Sequence, residues 1–195
     1  GGGVAFELAC RHASRLSALV LLAPVPARGF ASDAAARDKV RELPLHLLGA
    51  YFFHKGLRPE AERWSFHRAI AWHPAETEEW ARWRIAAERR CGHTLEGWQS
   101  MFVLDLEEEI SSVGVPVLML AAAADSLLLP NLADFQRMPT ATLHVVAHAG
   151  HELAVHAPED VAKAMDTFIR YGAHNYKQAA ERERERAPPG QLAEM

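Results

Sequence analysis

Apolar residues recur at helical spacing from the fourth position. Val4, Ala5, Leu8 and Ala9 predict a helix that starts directly after Gly1-Gly2-Gly3 and runs to about His12. Residues 17–23, Ser-Ala-Leu-Val-Leu-Leu-Ala, then form a continuous apolar run closed by Pro24 and Pro26. Such a run suits a strand covered on both faces of a parallel sheet. From Ala27 to about Glu109 the pattern changes. All five tryptophans (Trp64, Trp72, Trp80, Trp83, Trp98) lie here among Arg, Glu and Ala, which reads as several amphipathic helices without a strand. The strand–helix rhythm returns at residues 115–121, with Pro116 at the strand start, where a missing donor is tolerable. A short helix over 131–138, a third strand over 141–146 and an amphipathic helix over 158–171 follow, the last opening Pro-Glu-Asp. Beyond Gly172, alternating Glu and Arg followed by Ala187-Pro188-Pro189-Gly190 predict a flexible tail.

Buried apolar strands alternating with helices predict an α/β protein with a doubly wound parallel sheet. Four segments are expected: core at 1–26, a helical cap at 27–112 inserted between the first and second visible strands, core again at 113–172, and a tail at 173–195. The chain has 195 residues, 49% hydrophobic and 24% charged, with net charge −4. That excludes disorder for the bulk of the chain. It also argues against nucleic acid as a partner, because 25 acidic residues outnumber 21 basic ones. The longest apolar runs are half what a membrane helix needs. Cys10 and Cys91 are too few for a disulfide framework, so a reduced, cytoplasmic setting is expected.

In open parallel sheets functional groups gather at the carboxyl ends of strands. Asp125 follows the second strand, in Ala121-Ala122-Ala123-Ala124-Asp125-Ser126, and His151 follows the third, in Ala147-His148-Ala149-Gly150-His151-Glu152. Neighbouring strand ends would bring the two together, as the orienting acid and the base of a catalytic triad. Gly150 is expected to provide a tight turn that aims the ring inward. The plainer alternative makes Asp125 a turn former and His151 one of 11 histidines that happens to fall near a strand end.

Gly1-Gly2-Gly3-Val4-Ala5, the run Leu19-Val20-Leu21-Leu22, the segment Gly114-Val115-Pro116-Val117 to Asp125, Ala149-Gly150-His151 and Ala157-Pro158-Glu159-Asp160 together resemble the C-terminal part of an α/β-hydrolase-fold protein. The visible sheet would then be the last three strands of that fold. In that family the nucleophile stands on a Gly-x-Ser-x-Gly turn, and acid precedes histidine in chain order. The resemblance implies that Gly1 closes this turn and that the nucleophile lies two residues before it. Asp125 would orient His151, the general base, for hydrolysis of small, partly apolar ester, lactone or related acyl substrates. The 195-residue chain taken alone would have no esterase activity, and its first strand would present an open apolar edge. Two further readings stay open: an Asp nucleophile as in epoxide hydrolases and dehalogenases, with Tyr51 as the cap's candidate tyrosine, and a non-catalytic ligand-binding relative. The resembled family usually has a glycine where the loop before Asp125 is all alanine.

His151 and His156 are five apart, which fails the His-Glu-x-x-His spacing of zinc peptidases. No metal and no cofactor are expected, and no glycine pattern for a phosphate loop is present. Each tryptophan is expected mainly to pack the cap's own helices, while the group suggests an apolar substrate portion. Asp105, Glu107, Glu108 and Glu109 are read as a solvated acidic helix face. The oligomeric state is not readable.

Overall fold

The computed structural model describes residues 1–44 and 73–172. Tyr51, Trp64, Trp72 and the predicted tail lie outside the described residues. In chain order the elements are α1 (Gly2–Arg11), β1 (Leu19–Leu22), α2 (Ala34–Glu42), α3 (Glu78–Arg90), α4 (Thr94–Val103), β2 (Val117–Ala122), α5 (Leu128–Arg137), β3 (Ala141–Val146), α6 (Leu153–His156) and α7 (Pro158–Tyr171). Short 3-10 turns lie at Ala13–Arg15 and Glu109–Ser112.

The three strands form one parallel sheet in the order β1-β2-β3. Leu19 pairs with Val117, and Val117 with Ala141. Every residue of β2 is buried, as its unbroken apolar run requires of a central parallel strand. Alternation along β2 divides its side chains between two cores. Val117 and Met119 join Phe6, Ala9, Ile110, Val113 and Met138 on one face. Leu118, Leu120 and Ala122 join Val146, Leu153, Val161, Ala164 and Phe168 on the other. Helices thus cover both faces, the layering of a doubly wound sheet.

Several sequence expectations need correction. The first helix includes Gly2 and Gly3 instead of starting after them. It lies so close to the loop leaving β1 that a Cβ on Gly2 would fall 2.7 Å from Pro24 Cβ. The helix after β2 begins at Leu128, because Pro130 sits in its first turn, where the missing N–H is no loss. The acidic residues 105–109 do not form a helix face. They lie between α4 and β2, where Asp105 pairs with Arg37 at 2.8 Å and Glu107 with Arg137 at 2.8 Å. Trp83 and Trp98 are exposed, so neither is a core residue of its helix.

Two buried polar side chains on α5 hold the loop that leaves β1. Asn131 Nδ2 donates to the Pro24 carbonyl at 2.9 Å, and the Ala27 N–H donates to Asp134 Oδ2 at 2.9 Å. Burial pushes the Asp134 carboxyl up to about 6, against the opposing effect of the Ala27 N–H. The folded state therefore holds a proton on this group at pH values where the unfolded chain, near 3.8, has lost it. Stability from this group is greatest below pH 3.8 and falls as pH rises toward 6, by about 2–3 kcal/mol. Asp134→Asn keeps an acceptor for Ala27 and removes the charge. It is expected to raise the urea midpoint at pH 8 and leave it unchanged near pH 4. Equal effects at both pH values would contradict this account.

Candidate active site

The ends of β2 and β3 lie side by side, and their loops are stitched together by backbone bonds. Ala123 N–H donates to the Val146 carbonyl at 3.0 Å, and Ala124 N–H to the Ala149 carbonyl at 2.9 Å. These two bonds bring Asp125 and His151, 26 residues apart in the chain, into contact. His151 Nδ1–H donates to Asp125 Oδ2 at 2.9 Å. The alanines before Asp125 have no positive φ, so this loop has no need of the glycine usual in the resembled family.

Asp125 also serves the plainer role considered for it. Its Oδ1 accepts the Leu127 N–H at 3.1 Å, a turn closed by the side chain, while Oδ2 remains for the histidine. The turn and the imidazole thus hold the two carboxylate oxygens separately. Burial pushes the Asp125 carboxyl up. The His151 hydrogen bond, the Leu127 N–H and the nearby imidazolium charge together outweigh it and hold the group below its usual range. His151 moves the opposite way: the Asp125 hydrogen bond raises its pKa above 6.5, against desolvation. The carboxylate side chain is 7% exposed and the imidazole 47%, so a buried acid supports a base that remains accessible.

The tight turn expected at Gly150 is made without a positive φ at that residue. The positive φ in this loop belongs to His148, at 56°. Space at 150 is tight, since a Cβ there would lie 3.2 Å from His156 Cε1 and press on that ring. His156 itself is the residue that sequence reasoning misses. Its spacing from His151 raises only the question of zinc, but its Nδ1 accepts the Gly150 N–H at 2.8 Å and its Nε2–H donates to Glu76 Oε1 at 2.6 Å. Its partner stands 80 residues away, and no local pattern signals such a pairing. Among the described residues no group of three or more His, Cys, Asp or Glu side chains is arranged to hold a metal ion. No described helix is long and apolar enough to cross a membrane.

A sequence model of the alpha/beta hydrolase family matches residues 1–164. A protein of Caulobacter sp. (strain K31) named as a carbamate hydrolase, RutD, is 34% identical over 76 residues, which are 36% of this chain and 27% of that protein. A hydrolase from Pseudomonas aeruginosa PA01 superposes with a TM-score of 0.64 at 21% identity, over 87% of this chain and 61% of its own. A thermophilic esterase from Thermogutta terrifontis superposes with a TM-score of 0.62 at 19% identity, over 89% of this chain and 62% of its own. The chain thus spans less than two thirds of the length of each of these relatives.

Proposed function

Because the chain belongs to the alpha/beta hydrolase family, we propose that it supplies the acid and the base of a Ser-His-Asp hydrolase. In this reading His151 is the general base and acid, and Asp125 its orienting carboxylate. The observation that supports it is the 2.9 Å bond between His151 Nδ1 and Asp125 Oδ2 at adjacent strand ends. That bond leaves Nε2 for proton transfer. Nε2 takes the proton of a serine hydroxyl as the oxygen attacks the substrate carbonyl, then returns it to the leaving group; water repeats the cycle on the acyl-enzyme.

The serine would stand two residues before Gly1, at the turn that Gly1 closes. The oxyanion would be held by the amide following the serine and by one from an earlier loop. The proposed substrates are small, partly apolar esters, lactones or related acyl compounds. Esterase and carbamate hydrolase names among the relatives support this class, since esters and carbamates share a carbonyl open to a hydroxyl nucleophile. Residues 27–112 would form a helical cap over the cleft, with the exposed Trp83 available to apolar substrate parts. The cytoplasm is the proposed compartment.

Reading the coding sequence ahead of Gly1, together with a fluorophosphonate labelling experiment on the protein that carries it, tests the proposal. A labelled serine at the second position before Gly1 is expected. An aspartate there would redirect the chemistry to an alkyl-enzyme, and neither residue would leave a ligand-binding protein.

A further inference from the structure

His156 takes no part in the proposed proton transfers, yet its side chain is only 1% exposed, far more buried than His151. Its ring is fixed on three sides. The Gly150 N–H donates to Nδ1 at 2.8 Å, Glu76 Oε1 accepts from Nε2 at 2.6 Å, and the His73 ring stacks on it with centroids 4.0 Å apart. An amide N–H can only donate, so Nδ1 must carry the lone pair and the ring proton sits on Nε2, facing the carboxylate. A carboxylate acceptor polarises the ring and makes Nδ1 a better acceptor for Gly150. His73 and Glu76 belong to the segment between β1 and β2. The same segment also holds the residue after His151: Arg84 on α3 pairs with Glu152 at 2.6 Å. His151 therefore lies between two residues that are both tied, directly or through His156, to one distant stretch of chain.

We propose that His156 is a positioning residue for His151, coupling the Gly150 peptide to Glu76 so that the imidazole meets Asp125. The proposal rests on the reading of His151 as the base. It makes the segment carrying Glu76 and Arg84 a part of the catalytic geometry as well as a cover. Turning the Gly150 peptide moves the next Cα, and a misplacement of about 1 Å at a reacting group can cost about 10²-fold in rate.

The two bonds of His156 can be separated. His156→Asn leaves an acceptor near the Nδ1 position but is too short for Glu76. His156→Gln places an N–H near the Nε2 position, toward Glu76, and gives up the Gly150 bond. The readout is the titration of His151, followed by NMR of its imidazole in the 195-residue chain. Among the described residues, Asp125, Glu152 and Arg84 are the charged groups that act on this ring, and none is altered by a change at 156. His156→Gln is expected to lower the His151 midpoint by about half a pH unit or more, as the contact with Asp125 loosens. His156→Asn, which keeps an acceptor for Gly150 but loses Glu76, should lower it by a smaller amount. Gly150→Ala, whose methyl presses on the ring, should act as His156→Gln does and serves where that variant does not fold. A His151 midpoint unmoved in His156→Gln or Gly150→Ala overturns the proposal, because a merely space-filling His156 predicts that result. Asp125→Asn separates the two levels. If it lowers the midpoint while His156→Gln does not, only the positioning role fails. If Asp125→Asn leaves the midpoint in place, the acid–base pair fails, and the proposed function with it.

Discussion

Replacing His151 by alanine is expected to lower kcat/KM for a p-nitrophenyl ester by about four orders of magnitude or more, in the enzyme that carries the residues ahead of Gly1. The loss should fall on kcat, because the imidazole acts in the transition state and contributes little to holding the substrate. Asp125→Asn should approach the same loss. The amide can present N–H to Nδ1 and so favour the tautomer with its proton on Nε2, which cannot accept from a serine. The double variant should be scarcely worse than either single one, since the two groups act as a unit. A pH profile adds an independent sign. The base must be unprotonated, so kcat/KM rises with pH through the His151 pKa, which the Asp125 hydrogen bond places above 6.5. Asp125→Asn should move that inflection down. A His151→Ala enzyme within tenfold of the parent would remove both residues from the mechanism.

The second large effect concerns stability. Gly29→Ala is expected to lower unfolding free energy by about 3 kcal/mol or more, read from the urea midpoint. Gly29 has φ of 72°, and a Cβ there would lie 2.6 Å from the Leu104 carbonyl oxygen and 2.7 Å from that of Met101. Strain alone in the left-handed region costs about 1–2 kcal/mol for a residue with a side chain. The collision is the larger part because its targets are backbone. Moving them breaks the bonds from Phe30 N–H to Met101 O at 3.1 Å and from Ala31 N–H to Phe102 O at 3.3 Å. Gly172 provides the control, with φ of 77° and no described atom within 4 Å of where a Cβ would stand. If Gly29→Ala loses no more than Gly172→Ala, the collision account is wrong.

Parts of the molecule that depend on local pattern were legible from sequence. The apolar run at 115–121 and the Pro-Glu-Asp opening of α7 each carry their own signal, and the strand forms at 117–122 and the helix at 158–171. The meeting of Asp125 and His151 was legible for a topological reason: parallel strands place their following loops at one edge. Contacts between chemically unremarkable residues far apart were not legible. Glu76 lies in a mixed polar stretch, and nothing within several residues of it marks a histidine 80 positions on. Gly150 was legible as the site of a tight turn, but its closeness to His156 was not, since a Cβ there would press on a ring six residues on. The start of α5 was obscured because proline reads as a breaker, while the first turn of a helix accepts it.

The pairing of β1 with β2 also sets a schedule for synthesis. Leu22 pairs with Leu120, so the first strand leaves the ribosome about 100 residues before its partner is complete. At roughly 5–20 residues per second that interval is about 5–20 s. Throughout it the edge of β1 that pairs with β2 in the finished protein lacks that partner. Such long-range pairing is slow to form, and it exposes apolar strand surface to neighbouring nascent chains. Yield in the cell should therefore respond to chaperone supply and to translation rate across the segment between the two strands, even where no active-site residue has changed.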